Sequence, residues 1–242
     1  MKSNLDPCLI SVITVCKNDY ENLLVTKKSL DSQTFRDFEW IVIDGNSSDS
    51  TQNWLSKNVS KNCWLSEPDR GIGDAWNKGI HISSGKFILI LNAGDTYYPN
   101  ALQEFSRASN YSAIVCSHAN LVKDSHSIGI FKANPKRLWR GMHLPHNWCL
   151  IPRSIYADVG PYSLRKYSMD YEWFLRFIKK YGNKFLVLDI VLGDYKLGGL
   201  SDRQYAESFH ENYRLMVGFG INKITAFLIT TAYKIKHRIK YG

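Results

Sequence analysis

The stretch FILILNAGDTYY, residues 87–98, determines how the rest of the chain is interpreted. Five consecutive apolar residues, Phe87 to Leu91, lie between turn residues and predict a short buried strand. The strand ends at Asn92-Ala93-Gly94-Asp95, and a carboxylate in that position is expected to face the ligand crevice of an open α/β sheet. Asp95 therefore predicts a ligand for Mg²⁺ or Mn²⁺, although a turn or capping role explains the local sequence equally well.

Strand and helix patterns alternate through the first part of the chain. Apolar runs at 8–16 and 40–43 predict strands, and helical spacing follows at 20–32 and after the cluster that begins at Asp44. A short strand at 63–65 leads to a helix before the strand at 87. This alternation predicts an α/β fold, a Rossmann-like and mostly parallel sheet with helices on both faces.

The second half of the chain predicts strands at 114–116, 128–131 and 185–190, with an irregular segment at 134–149. A helix is predicted over 168–181, with Ser168 as its N-cap and with Asp170 and Glu172 in its first turn. Residues 202–240 are predicted to be helical. We therefore divide the chain into a main domain, 1–201, and a C-terminal helical extension, 202–242.

Composition limits the classes of function. The 242 residues carry a net charge of +9, which favours anionic partners such as nucleotides or an anionic membrane surface. Five cysteines without a CxxC pair predict reduced thiols in a cytoplasmic protein. Neither GxGxxG after the first strand nor GxxxxGK[ST] is present, so the motifs of dehydrogenases and P-loop NTPases are missing.

The C-terminal extension combines an apolar stripe with basic residues. Helical spacing places six apolar side chains on one narrow face, and four basic residues lie beside or opposite it. Such a helix predicts either an interfacial membrane anchor or a helix that packs on its own domain with a solvated basic face. The apolar positions are Ile221, Ile224, Leu228, Ala232, Ile235 and Ile239, and the basic ones are Lys234, Lys236, Arg238 and Lys240.

Several segments together resemble the family 2 glycosyltransferases, inverting enzymes with the GT-A fold, and among them the colanic-acid and O-antigen type. The resemblance spans about residues 9–201 in the family's order. Its segments are ISVITVCKN at 10–18, WIVIDGNSSDST at 40–51, SEPDRGIGDAWNKGI at 66–80, GKFILILNAGDTYYP at 85–99, MDYEWFLR at 169–176 and GGLS at 198–201.

The resemblance implies a role for individual residues. Asp170 would be the catalytic base, Asp95 the metal-binding residue, and His146 and Glu172 would lie on the acceptor side. The donor nucleotide and its sugar would be bound by Thr14, Asp44, Asp69, Arg70, Asp74, Asn77 and Asn92. The chain departs from the family at Asn92 and Gly94, where further acidic residues are common, and at Gly45, where a second Asp is common.

The implied reaction moves a sugar from a nucleotide-diphosphate sugar, most often a UDP-sugar in this family, to a hydroxyl of a glycan acceptor. The resemblance and the basic extension together suggest a lipid-linked acceptor in bacterial surface polysaccharide synthesis, with the protein peripheral on the cytoplasmic face of the inner membrane. Asp170 would take the proton of the attacking hydroxyl. A metal on Asp95 would neutralise charge on the leaving diphosphate.

Three other classes of function are open to this sequence. A sugar nucleotidyltransferase would need a glycine-rich basic loop after the first strand, where this chain has Lys17-Asn18-Asp19-Tyr20. A nucleic-acid-binding module would need a basic face with interleaved aromatic residues, whereas the basic residues here concentrate near the C-terminus, so no nucleic-acid partner is expected. A catalytically inactive, transferase-like scaffold would be consistent with the reduced acidic motif.

Overall fold

A computed structural model describes residues 8–198 and 205–241, and within these ranges the side chains of 8–198 and 207–235. The predicted domain boundary at 201 and most of the GGLS segment lie outside the described residues. The described chain forms a single mixed sheet with helices packed on it, so the predicted α/β class is confirmed.

The first half of the sheet is parallel. Its strands are β1 (Ile10–Cys16), β2 (Phe38–Asp44), β3 (Trp64–Ser66) and β4 (Phe87–Ile90), in the spatial order β3-β2-β1-β4. Every pairing among them is parallel. Their β-branched and aromatic residues suit a sheet buried on both faces, and Phe87 to Ile90 are at most 1% exposed, as the opening motif predicted.

The second half of the sheet has mixed directions. It comprises β5 (Thr96–Tyr97), β6 (Ile114–Lys123), β7 (His126–Phe131), β8 (Cys149–Pro152) and β9 (Phe185–Lys196). The order continues from β4 as β8-β6-β9-β5, and β7 forms an antiparallel hairpin with β6, as expected from their short connection. Strand β8 was not predicted. It lies antiparallel between β4 and β6, so pairing on both edges stabilises a segment of only four residues.

Eight α-helices are described. They are α1 (Tyr20–Asp31), α2 (Thr51–Asn58), α3 (Ile72–Ile82), α4 (Ala101–Ala108), α5 (Arg153–Val159), α6 (Met169–Tyr181), α7 (Tyr205–Gly218) and α8 (Lys223–Tyr241). Three short 3₁₀ helices occupy Lys61–Cys63, Pro135–Arg140 and His146–Trp148, the last two inside the segment predicted to be irregular. Helix α5 was not predicted from the sequence.

Alternating side chains of the strands build an apolar core on each face of the sheet. On one face, Ile13 and Ile88 pack with side chains of α3 and α6 and with the C-terminal helices. On the other face, Val12 and Leu89 pack with Leu102 and other residues of α4. The period of two along β1 and β4 thus places helices on both faces, and the carboxyl ends of the parallel strands are left at one edge of the sheet.

The C-terminal extension, predicted to be helical, is a hairpin of two helices, α7 and α8. Gly220 has a φ of +94°, which favours glycine, and the side chain of Asn222 accepts a hydrogen bond from the N–H of Ile224 at the start of α8. Ala226 and Ile229 are buried against the core. None of the described helices has the combination of length and hydropathy that would let it cross a bilayer.

Candidate active site

A cleft of about 730 Å³ opens where the parallel strands end. Lys17 follows β1, Asn92 follows β4, and the loop before α3 contributes Asp69 and Arg70. The opposite wall comes from the second half of the chain and contains His146 and Asp170. Five of the predicted site residues therefore lie together in this cleft, namely Asp69, Arg70, Asn92, His146 and Asp170.

Asp170 is the second residue of α6, where the helix N-terminus presents it to the cleft. The N–H of Tyr171 donates to its Oδ1 at 2.8 Å. Burial raises the pKa of Asp170 to about 6, because an ionised carboxylate loses hydration in this position. A carboxyl group with this pKa is mostly ionised at neutral pH and is a stronger proton acceptor than an ordinary aspartate, which suits a general base.

His146 is part of an aromatic wall of the cleft. Its ring lies 4.6 Å from the indole of Trp76, and its Nε2 lies 2.8 Å from the hydroxyl of Tyr162. Burial lowers the pKa of His146 to about 3, so the ring is neutral across the physiological range. Trp76 in turn donates its indole N–H to Oδ1 of Asn92 at 3.1 Å. Trp76 thus connects His146 on one wall of the cleft with Asn92 on the other.

Arg70 lies at the mouth of the cleft and is paired with Asp74. Its guanidinium Nη2 lies 3.0 Å from Oδ1 of Asp74, and the ammonium of Lys78 lies 3.5 Å from Oδ2 of the same carboxylate. The hydrogen bond from Arg70 keeps the pKa of Asp74 below its ordinary value. Asp74 therefore lies behind the cleft surface and holds Arg70 in place.

Four other predicted residues make contacts inside the fold. Thr14 is buried and accepts a hydrogen bond from the indole of Trp40 at 2.9 Å. Asp44 is buried and accepts hydrogen bonds from Ser47 and Ser66. Asn77 and Glu172 brace the loop that follows α5.

The contacts of Asn77 and Glu172 show how they brace this loop. Asn77 exchanges two hydrogen bonds of 2.9 Å with the backbone of Tyr162. Glu172 pairs with Arg176 at 2.8 Å, and Arg176 donates to the carbonyl groups of Val159 and Pro161. Neither Asn77 nor Glu172 is among the described residues that line the cleft.

Asp95 was predicted to face the crevice, but its carboxylate is turned into the protein. It is 5% exposed, and it lies outside the cleft lining. Its Oδ1 accepts a hydrogen bond from the backbone N–H of Lys196 at 2.8 Å, and its Oδ2 accepts one from the side-chain amide of Asn147. Desolvation raises the pKa of Asp95 to about 7. Asp95 thereby joins the turn after β4 to the end of β9.

The described residues form no complete metal site by themselves. Mg²⁺ and Mn²⁺ favour ionised oxygen ligands, and each oxygen of Asp95 accepts one hydrogen bond from a protein donor. Gly94 has no side chain to contribute, and the side chain of Lys196 passes close to it. Within the described parts of the chain, no three His, Cys, Asp or Glu side chains are grouped as metal ligands.

Sequence reasoning missed the basic and aromatic residues of the cleft, including Lys17, Trp76, Lys166, Tyr167 and Tyr195. Lys17 carries a recognisable signal, because it directly follows a buried parallel strand. The residues at 166, 167 and 195 reach the cleft through tertiary contacts, for which the local sequence has no signature.

The chain belongs to glycosyl transferase family 2, whose sequence profile matches residues 11–174. A glycosyltransferase of uncharacterised function from Rickettsia prowazekii is 27% identical over 195 residues, which cover 74% of this chain and 61% of that protein. The chain thus spans less than two thirds of this relative's length. The PGL/p-HBAD biosynthesis glycosyltransferase of Mycobacterium bovis is 25% identical over 234 residues, 89% of this chain and 88% of the relative.

Solved structures with the same fold include TarS 1–349 of S. aureus in complex with UDP. It matches with a TM-score of 0.66 and 17% identity, over 95% of this chain and 71% of that one. Glucosyl-3-phosphoglycerate synthase of Mycobacterium tuberculosis, in complex with Mn²⁺ and UDP-glucose, matches with a TM-score of 0.61 and 14% identity, over 89% and 80% of the two chains. These likenesses confirm the predicted GT-A fold.

Proposed function

We propose that this chain is an inverting glycosyltransferase that moves a sugar from a nucleotide-diphosphate sugar, a UDP-sugar, to a hydroxyl group of an acceptor. The observation that supports this most directly is Asp170, a half-buried carboxyl group with a pKa of about 6, in a cleft at the carboxyl ends of the parallel strands. Family membership and the nucleotide complexes of the solved neighbours agree with this function.

The cleft contains cationic donors for a diphosphate, although Asp19, Asp69 and Asp170 line it as well. Lys17, Arg70 and Lys166 line it, and each can meet a phosphate oxygen as a charged donor. Lys17 and Arg70 come from the strand-end loops of the first half, where nucleotides bind in open α/β sheets. The donor therefore occupies the side of Lys17 and Arg70, and the acceptor approaches from the side of α6.

The proposed step is a single displacement. Asp170 accepts the proton of the acceptor hydroxyl while that oxygen forms a bond to the anomeric carbon. The bond from this carbon to the diphosphate oxygen breaks, and the nucleotide diphosphate leaves with the electron pair. Attack opposite the leaving group inverts the anomeric centre, and Asp170 then passes its proton to solvent.

A divalent cation enters this proposal only as a counterion of the diphosphate. The solved neighbour with UDP-glucose contains Mn²⁺. In this chain the carboxylate expected to hold Mg²⁺ or Mn²⁺ is engaged by Asn147 and Lys196. No step above is therefore assigned to a metal on Asp95.

Substitution of Asp170 tests the function. Asp170→Asn should retain nucleotide binding and lose transfer, because the amide keeps the shape of the side chain and cannot accept the proton. Binding is measured as the rise in melting temperature with UDP, GDP or dTDP, each with and without Mn²⁺, and transfer as release of nucleotide diphosphate in the presence of acceptor. The matched control is Asp124→Asn, which makes the same change in the exposed turn between β6 and β7.

Near-normal transfer by the Asp170→Asn variant would overturn the assignment of the base. Absence of a melting shift with all three nucleotides would overturn the transferase function and favour a transferase-like scaffold.

We further propose that α8 binds an anionic membrane surface from the cytoplasmic side, which would bring a lipid-linked acceptor to the cleft. Four large apolar side chains of α8 are exposed: Ile224 (71%), Phe227 (59%), Leu228 (62%) and Ile235 (56%). Their spacing of three, four and seven residues places them on one face, away from the buried Ala226 and Ile229. The exposed Lys223 and Lys234 supply positive charge on the same helix.

Cosedimentation with phospholipid vesicles tests this part of the proposal. Binding should be stronger to vesicles that contain phosphatidylglycerol than to pure phosphatidylcholine, and it should weaken with salt. Absence of binding to both kinds of vesicle would overturn the membrane contact. Deletion of 221–242 is a poor variant for this purpose, because Ala226 and Ile229 are part of the core.

A further inference from the structure

The wall of the cleft that carries Asp170 depends on a short segment before α6. Leu164, Lys166, Tyr167 and Met169 line the cleft together with Asp170. The position of the proposed base therefore depends on what holds the backbone at the start of this helix.

Ser168 was predicted to cap α6, and it occupies the N-cap position of that helix. The side chain of Ser168 makes no capping hydrogen bond, and its Oγ is buried with no partner among the described residues. Glu211 of α7 instead binds the backbone just before the helix. Its Oε2 accepts the N–H of Tyr167 at 3.1 Å and that of Ser168 at 2.9 Å.

Glu211 also interacts with a side chain of the same segment. Its Oε1 lies 3.9 Å from Nη1 of Arg165, and its side chain is 19% exposed. One carboxylate thus contacts three of the four residues 165–168 that lead into α6, and it lies at the positive end of that helix, where an anion is stabilising. No residue within α6 supplies such a contact to the N–H groups of Tyr167 and Ser168.

We infer that Glu211 is a positioning residue for Asp170, which holds the start of α6 in the geometry that the transfer reaction needs. This inference rests on the proposed transferase function. It also gives the C-terminal hairpin a part in catalysis, because α7 packs against α8, the helix of the proposed membrane contact.

Glu211 has a second effect, through its charge. In the described part of the chain, the titratable side chains that interact electrostatically with Asp170 include Glu211 on α7, Cys149 on β8 and Tyr162 on the loop after α5. Burial raises the pKa of Cys149 and of Tyr162, so both are neutral at physiological pH. The negative charge of Glu211 contributes, after burial, to the raised pKa of Asp170.

Two variants separate the two effects. Glu211→Gln keeps a carbonyl acceptor and removes the charge, whereas Glu211→Ala removes both. We expect kcat to fall by roughly 10- to 100-fold in Glu211→Ala and by less in Glu211→Gln, with the donor KM nearly unchanged, because the loss is one of orientation. In both variants the acid limb of the pH profile of kcat/KM should move to lower pH, since a like charge is removed.

The matched control is Glu207→Gln, one turn earlier on α7, where the side chain is exposed. A second readout is independent of activity: amide hydrogen exchange at Tyr167 and Ser168 should accelerate in Glu211→Ala and stay unchanged in the control. Unchanged exchange, or a kcat and an acid limb that match those of the wild type, would overturn the positioning role. Faster exchange in a protein without any transfer activity would instead place the failure with the proposed function.

Discussion

The exposed face of α8 allows a quantitative test of membrane binding. Ile224 and Leu228 lie one turn apart and are 71% and 62% exposed. Full burial of such a side chain contributes about 1.5–3 kcal/mol, so transfer of the exposed part of each into the interface contributes about 1–2 kcal/mol. The double variant Ile224→Ser, Leu228→Ser should therefore bind vesicles about 30- to 1,000-fold more weakly.

The assay is cosedimentation with vesicles of one-third phosphatidylglycerol, at low and high salt. The variant should keep the melting temperature of the wild type, because neither side chain is part of the core. Ile190→Ser on β9 is the control, since this side chain is also exposed, at 40%, on a different element. Vesicle binding by the double variant equal to that of the wild type, or an equal loss in the control, would refute the reasoning.

Three further predictions concern the site and the sheet. The pH profile of kcat/KM should rise with a midpoint near pH 6 as Asp170 ionises, and Asp170→Asn should lower kcat by roughly 10²- to 10⁴-fold; a flat acid limb would contradict the assigned base. The raised pKa of Asp95 means that the folded state retains a proton which the unfolded state loses, so this group costs stability as pH rises from about 4 towards 7. The free energy of unfolding of Asp95→Asn minus that of the wild type, measured in urea titrations with EDTA, should therefore increase between pH 5 and 7. The increase should be at most about 1.4 kcal/mol per pH unit. A difference independent of pH would contradict the buried, uncoordinated carboxyl group. A Cβ at Gly193 would lie 2.0 Å from the carbonyl oxygen of Thr96, so Gly193→Ala should lower the free energy of unfolding by about 1–3 kcal/mol, and unchanged stability would show that β5 and β9 separate easily.

Local sequence patterns were sufficient for the parallel half of the fold. Phe87 to Leu91 and the run at 8–16 are continuous apolar segments, and such segments form buried strands in whatever order they pair. The cleft at their carboxyl ends followed from the same pattern. The family resemblance supplied the individual residues that line it, Asp69, Arg70 and Asn92 on one wall and Asp170 and His146 on the other.

The missed features depend on contacts between distant parts of the chain. Strand β8 is stabilised by pairing with β4 and β6, and its partner residues in both strands lie more than 25 residues away in the sequence. Asp95 is turned inward by the N–H of Lys196, a partner 101 positions away. The backbone before α6 is held by Glu211, whereas the side chain of Ser168, which has the residue type and position that local rules favour for a cap, makes no capping hydrogen bond. In each case a tertiary partner outweighs the local preference.

Strand β8 joins the two halves of the sheet through two register pairs with β4 and two with β6. The walls that supply Lys17 and Arg70 on one side and Asp170 on the other are therefore joined within the sheet by these four register pairs. They are joined outside the sheet by α3, whose Trp76 contacts His146 and whose Asn77 binds the backbone of Tyr162. A mutation that moves α3 or β8 should therefore change the donor side and the acceptor side of the cleft together.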